Sequence, residues 1–290
     1  EPIIDPFDAD TKHNNVYGYA NLRLPGSSAL LTLGLSYDDY DSDDIGHISQ
    51  LNPKGGITWS PTERLTLRAA GFRTLRRSLV ESKTLEPTQV AGFNQFFDDY
   101  KATDSTRYGA ALDYRLTDRL FTGAELTWRS LSMPVLGTTD ETIDQDEETH
   151  RAYLYWTPAR RWALRAAFQY EDYQSDSALD PELDILGLRT RTLPLGFDYY
   201  DPQGLFAGAR ATRVWQAVET SGADHDETFW TLDVTLGYRL PKRYGALTLQ
   251  IRNLLDEDFD YQDNNFRTND PQTPAFLPTR SVFLNLNLVL

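Results

Sequence analysis

The sequence predicts an all-β chain, a transmembrane antiparallel up-and-down β-barrel of about 14 strands, or about 16 as the alternative count. Three observations predict it. Short segments place apolar side chains at every second position, as in Trp162-Ala163-Leu164-Arg165-Ala166-Ala167-Phe168-Gln169-Tyr170 and Trp230-Thr231-Leu232-Asp233-Val234-Thr235-Leu236-Gly237-Tyr238. This period of two gives each segment one apolar and one wet face. The connections between segments are alternately tight and long, and the tryptophans collect near segment ends in the apolar register.

Residues 1–14 form a lead-in or a poorly patterned first strand. Thirteen alternating segments follow, near residues 15–24, 29–37, 50–59, 65–73, 105–115, 120–130, 150–157, 162–171, 190–199, 205–215, 228–239, 246–253 and 280–290. Most approach the ~10 residues that a tilted strand needs to cross a bilayer. The tight connections are Pro25-Gly26-Ser27-Ser28, residues 60–64, 116–119 and 158–161, Asp201-Pro202-Gln203-Gly204 and residues 241–245, rich in turn-forming residues. The long ones are residues 38–49, 74–104, 131–149, 172–189, 216–227 and 254–279. Loops sorted by length suit a protein with short turns in the periplasm and long loops outside, which places the chain in a bacterial outer membrane. Bacterial single-chain barrels use even strand numbers, so residues 1–10 or strands upstream are expected to supply at least one more. Trp59, Trp156 and Trp162 lie beside tight turns and Trp128, Trp215 and Trp230 beside long loops, as two aromatic girdles would. The alternative for these rings is the core of a soluble β protein.

The chain has 290 residues and a net charge of -15, and no Pro/Ser/Gly-rich linker divides it, so residues 1–290 read as one domain. No cysteine is present, which excludes disulfides, thiolate nucleophiles and cysteine-ligated metals. No apolar run approaches the roughly 18 residues of a membrane helix, but strand crossings escape that test because only alternate residues meet lipid. The first residue is Glu1, which suggests a removed leader or a longer upstream region.

Several stretches resemble the C-terminal barrel of TonB-dependent receptors. They are Leu51-Asn52-Pro53-Lys54-Gly55-Gly56-Ile57-Thr58-Trp59-Ser60-Pro61 with Leu65-Thr66-Leu67-Arg68-Ala69-Ala70, then Arg252-Asn253-Leu254-Leu255-Asp256-Glu257-Asp258-Phe259, and Pro278-Thr279-Arg280 before the last strand. The segment from Thr84 to Gln95 is similar to one found in related outer-membrane barrels that follow tetratricopeptide repeats in place of a plug. The resemblance implies a transport barrel and a periplasmic partner or upstream repeat domain. Against the receptor pattern, the chain is short for about 22 strands, shows no plug or energy-coupling box, and ends in Leu290 where the family usually has an aromatic residue.

The wet register carries Arg23, Lys54, Arg68, Arg107, Arg115, Arg129, Arg151, Arg165, Arg210, Arg239 and Arg252 against Asp113, Glu125, Asp198 and Asp233. Arg68, Arg107, Arg129, Arg151, Arg165, Arg210 and Arg252 are the expected substrate path, because a cationic lumen with low-dielectric walls concentrates anions. Alternatively, the same arginines pair with carboxylates and inward loops and fill the barrel as a polar core.

Residues 38–47, 140–150, 171–184, 219–227 and 256–270, in or beside the long connections, hold 27 of the 43 acidic residues. Such a rim has candidate Ca²⁺ or Mg²⁺ ligands at Asp41, Asp43, Asp144 and Asp146 and can adjoin lipopolysaccharide through divalent bridges. Asp38 to Asp44 lacks the Gly and terminal Glu of an EF-hand loop. No hydrolase or phosphate-cradle motif occurs, and Ser130 with His150 is the one nucleophile–base pair the strands could bring together. The acidic balance disfavours nucleic acid. The leading expectation is therefore a channel or export/uptake barrel for a polar anionic solute or polysaccharide, not an enzyme. The alternatives are a closed barrel serving as anchor or binding platform, and a truncated TonB-dependent receptor.

Overall fold

The computed structural model describes residues 11–76, 86–95, 99–135, 141–179, 183–267 and 274–288. In chain order the strands are β1 (Thr11–Arg23), β2 (Ala29–Ser42), β3 (Gly46–Thr62), β4 (Leu65–Leu75), β5 (Gln89–Val90), β6 (Phe93–Asn94), β7 (Asp104–Thr117), β8 (Leu120–Pro134), β9 (Thr142–Ala159), β10 (Trp162–Ser175), β11 (Ile185–Tyr200), β12 (Leu205–Thr220), β13 (His225–Arg239), β14 (Gly245–Arg252) and β15 (Ser281–Leu288). Thirteen of them form one antiparallel meander in sequence order, and β5 pairs with β6 as a separate ribbon between β4 and β7. Each alternating segment of the sequence lies on one strand of the meander. The expected strand in residues 1–10 falls outside the described residues. Among the described residues β1 and β15 each pair on one side only, so the sheet is open along that seam.

The tight turns form where the sequence places them. In the β11–β12 turn, Asp201 Oδ1 accepts from the Gln203 N–H at 2.9 Å and the Asp201 carbonyl accepts from the Gly204 N–H at 3.0 Å. Gly204 has a φ of 106°, and a Cβ there would lie 2.6 Å from the Arg239 carbonyl oxygen, so only glycine closes the hairpin without strain.

At the other end the strands run further than the alternation suggests. The β2–β3 pairing continues to Ser42↔Gly46, β8–β9 to Pro134↔Thr142 and β12–β13 to Val218↔His225. Much of residues 38–49, 131–149 and 216–227 is therefore hairpin, not loop. Backbone pairing needs no apolar side chain, and beyond the bilayer both faces of a strand can be polar, so the period-two signal vanishes while the ladder persists. Two long connections remain, residues 76–103 and 253–280.

Burial is inverted relative to a water-soluble protein. One face of the meander exposes Leu33, Leu35, Ile57, Leu112, Leu154, Leu195 and Leu236, whereas Asn52, Lys54, Thr127, Arg129, Thr190 and Gln216 on the other are buried. Val282, Leu284, Leu286 and Leu288 of β15 belong to the exposed apolar face, and Leu290 lies outside the described residues. An apolar exterior around a polar interior is the arrangement lipid solvation selects. No helix among the described residues is long and apolar enough to cross a membrane.

Candidate functional site: the polar inner face

Cross-strand register assembles the wet face. Lys54 lies opposite Phe72, Phe72 opposite Arg107 and Arg107 opposite Arg129, and further on Glu125 opposes Arg151 while Gly196 opposes both Arg165 and Arg210. The expected path residues then divide by what they touch. Arg68 lies 3.4 Å from Asp113 and 3.2 Å from Glu125, and Arg165 lies 2.7 Å from Asp198. Arg129 joins Asp99 and, at 3.3 Å, Glu147. Arg107 donates to Thr127 Oγ1 at 3.2 Å. Arg151 donates to the Tyr155 hydroxyl at 3.3 Å, and Arg252 stands 5.5 Å from the Phe283 ring centroid. Arg210 is exposed on the inner face, and among the described residues no ion pair involves Arg151, Arg210 or Arg252.

Both long connections fold onto this face. The β5–β6 ribbon inserts Val90 and Phe93 against Phe72, with Ala70 and Ala111 beside them. It fits because the wall is bare there: a Cβ on Gly56 would lie 2.8 Å from Ala91 Cβ, and one on Gly109 2.5 Å from the Phe93 ring. At the head of the ribbon Lys54 Nζ donates to Glu86 Oε2 at 3.1 Å and to Gln95 Oε1 at 3.0 Å, and the Tyr19 hydroxyl donates to Glu86 at 3.1 Å. The Lys54 and Glu86 side chains are almost fully buried.

The second connection docks through Phe259, stacked on Phe229 at 3.9 Å, and through Gln262, whose N–H donates to Gln216 Oε1 at 2.8 Å while its carbonyl accepts from Gln216 Nε2 at 3.0 Å. Arg267 lies over the Tyr173 ring at 4.8 Å and pairs with Glu147. Asp99, Arg129, Glu147 and Arg267 therefore form one chain of opposite charges that ties both connections to the wall. Burial, and then the nearby Arg129, pull the Arg267 guanidinium down to about 10, which leaves it charged at neutral pH.

Two adjoining polar cavities open where β10–β14 are not covered. One of about 380 Å³ is lined by Glu171, Thr192, Arg210, Asp233, Tyr261 and Phe276. The other, about 320 Å³, is lined by Arg165, Asp198, Arg210, Asp233 and Gln250. Arg210 and Asp233 border both. Burial raises the pKa of the Tyr261 hydroxyl, and Asp263 and Glu171 push it the same way, so it faces the cavity as a neutral donor.

The six tryptophans are exposed on the apolar face. Trp59, Trp156 and Trp162 lie within three residues of the short-turn ends of their strands, and Trp128, Trp215 and Trp230 eight to ten residues further up. Asp144 and Asp146 are two apart on one strand, about 6–7 Å. Asp41 and Asp43 are likewise two apart. Among the described residues no three carboxylates or imidazoles are grouped to hold a metal. Ser130 and His150 do not meet either: Ser130 donates to Asp146 at 2.6 Å, while His150 lies opposite Leu126, four residues along β8.

Sequence reasoning missed Glu86, Asp99, Glu147 and Arg267, whose partners are distant in the chain. It also missed Arg191 and Arg213, which occupy the apolar register. For Glu86 and Gln95 a signal existed, since both lie in the stretch that resembles repeat-linked barrels.

No protein-family model matches the chain, and no curated protein does. Solved structures do. The FrpB iron transporter from Neisseria meningitidis matches with a TM-score of 0.69 at 14% identity, covering 95% of this chain and 45% of that one. The ferripyoverdine receptor of the outer membrane of Pseudomonas aeruginosa gives 0.61 at 14%, covering 95% and 38%. The ferric-catecholate import receptor Fiu from K12 E. coli gives 0.59 at 16%, covering 97% and 45%. These are TonB-dependent outer-membrane receptor barrels, and the fold of this chain is theirs, as the Leu51–Pro61 and Arg252–Phe259 stretches lead one to expect. The chain spans less than half the length of each.

Proposed function

We propose that the chain forms the wall of an outer-membrane transport barrel that passes a polar, anionic solute or a polysaccharide along its inner face. Arg210 carries this reading. It is exposed, has no ion-pair partner among the described residues, and borders both inner cavities. A guanidinium that no carboxylate holds within ion-pair distance, although Asp233 lies opposite it on β13, keeps its N–H groups free for an anion, and the amide and hydroxyl groups of the cavities suit a hydrated, oxygen-rich solute. Arg151 and Arg252, which also have no ion-pair partner among the described residues, extend the row, whereas Arg68, Arg129 and Arg165 serve chiefly as partners of wall and loop carboxylates.

Planar-bilayer recording under a KCl gradient tests the reading. Wild type is expected to conduct with a Cl⁻-side reversal potential, and the Arg151→Glu, Arg210→Glu, Arg252→Glu triple variant to shift it toward K⁺. Unchanged selectivity in the triple variant would overturn the assignment.

A closed platform is the second reading. The buried Lys54–Glu86 pair and the ribbon behind it favour it, because they fill part of the inner face. A silent bilayer despite verified insertion is its expected signature. The receptor reading rests on the likeness to iron and ferric-siderophore transporters. Saturable binding of a ferric chelate to the purified chain is its expected signature.

A further inference from the structure

The outer wall carries a feature that neither the passage nor its loops explain. Between the two tryptophan levels the outward positions of β10 to β13 are apolar: Leu164, Ala166 and Phe168, then Leu193, Leu195 and Phe197, then Ala207, Ala209 and Ala211, then Leu232, Val234 and Leu236. The band ends at a belt eight to ten residues above the short turns, where Trp128, His150, Tyr170, Trp215 and Trp230 face outward. Within that belt stand Arg191 on β11 and Arg213 on β12.

Arg191 lies opposite Trp215 and Arg213 opposite Trp230, so the two arginines are diagonal neighbours on adjacent strands, about 7–8 Å apart. Arg213 lies over two rings, with its guanidinium carbon 5.6 Å from the centroids of both Trp215 and Trp230, and Arg191 lies 5.7 Å from the centroid of Tyr170. Aromatic stacking positions a guanidinium by its face and leaves the N–H groups on its edge to find acceptors. Among the described residues neither arginine has an ion-pair partner, unlike Arg189, whose Nε donates to Asp172 at 3.0 Å, and Arg73, which pairs with Asp104 at 2.5 Å.

Beside them is an outward cavity of about 270 Å³ lined by Arg189, Arg191, Trp215, Asp226 and Thr228. Among the described residues three carboxylates face this region: Glu148, opposite Asp172 and 3.3 Å from His150, then Asp172 and Asp226. Asp172 is neutralised by Arg189 and accepts from the Tyr170 hydroxyl at 2.6 Å, and Asp226 sits above, on the loop side of Trp215. The height is where lipid headgroups meet the wall, and an unpaired cation on a lipid-facing surface is costly unless an anion there completes it.

We propose that Arg191 and Arg213 bind the phosphate of an outer-leaflet lipid headgroup, with its acyl chains lying along Leu193, Leu195 and Leu232 below. The site needs no divalent bridge, and it is independent of any solute on the inner face.

Native mass spectrometry of the full chain in detergent, titrated with diphosphoryl lipid A, tests it. Removing two charge-assisted contacts by Arg191→Gln with Arg213→Gln is expected to weaken retention at least about tenfold, while Arg191→Lys with Arg213→Lys keeps most of it. Dephosphorylated lipid A is expected to bind wild type no better than phosphorylated lipid binds the Gln variant. Heat-dependent gel migration checks folding, and single Arg191→Gln carries the test if the double variant does not fold. Equal retention by wild type and a folded Gln variant would overturn the proposal. So would displacement of the lipid by inorganic phosphate alone, which would mark an anion site and not a lipid site.

Discussion

At the residue scale, the contrast between buried and exposed ion pairs decides which side chains matter. Lys54 and Glu86 are both withdrawn from water, so removing one partner strands the other as a buried charge. Lys54→Met is expected to destabilise the folded chain by about 3–5 kcal/mol, and Lys54→Met with Glu86→Met to recover most of the loss. The urea midpoint of the refolded protein measures both, and a Lys54→Met midpoint equal to wild type would remove the pair from the account. Arg280 and Asp256, at 3.2 Å with both side chains about half exposed, are expected to contribute less than about 1 kcal/mol in the same assay. Alternation already places Lys54 on the wet face. Its partner is not legible, because Glu86 is 32 positions away on a connection with no periodicity.

At the element scale, residues 76–103 and 253–280 are held to the wall by different means but share Arg129 and Glu147. Arg129→Ala would leave Asp99 and Glu147 without their common cation. Hydrogen exchange is expected to accelerate in both connections together, whereas Arg165→Ala, whose partner Asp198 lies on the neighbouring wall, leaves them unchanged. Acceleration in one connection alone would mean that the charge chain does not couple them. Gly109→Val tests the ribbon separately. A Cβ there meets the Phe93 ring at 2.5 Å, so the ribbon must lift, and single-channel conductance in a conducting barrel is expected to rise. The strands themselves were legible from period-two alternation within the bilayer. Their extensions above it were not, since Asp144 to Glu148 has no apolar partner set and reads as loop.

At the scale of the whole molecule, the constraint is the solvent. Leu195 lies midway between the two tryptophan levels and is exposed, so Leu195→Lys is expected to cost about 2–4 kcal/mol in lipid vesicles, and Trp215→Lys at the belt no more than about 1. Equal costs at the two heights would contradict the membrane placement. Thirteen strands in an antiparallel meander leave β1 and β15 running the same way, so an antiparallel closure of the seam needs at least one strand more. Unpaired edges cannot persist in hydrocarbon, where each orphan backbone group costs several kcal/mol. Amides of residues 11–23 and 281–288 are therefore expected to be protected from exchange in a bilayer, and rapid exchange there would show that the seam stays open.

By itself the sequence determined the strands, the lipid-facing side and the tryptophan levels, because alternation is local and the bilayer imposes one apolar register on every crossing. It also placed Arg68, Arg107, Arg129, Arg151, Arg165, Arg210 and Arg252 on the wet face, since register follows from position parity. Only the tertiary structure decided which of them are neutralised: Arg129 by Asp99 and Glu147, Arg165 by Asp198, and Arg210 by no ion pair among the described residues. The reason is physical. A charge's partner depends on where non-periodic connections fold back, and that is set by bare wall at Gly56 and Gly109, by Phe229 stacking and by distances between residues far apart in the chain.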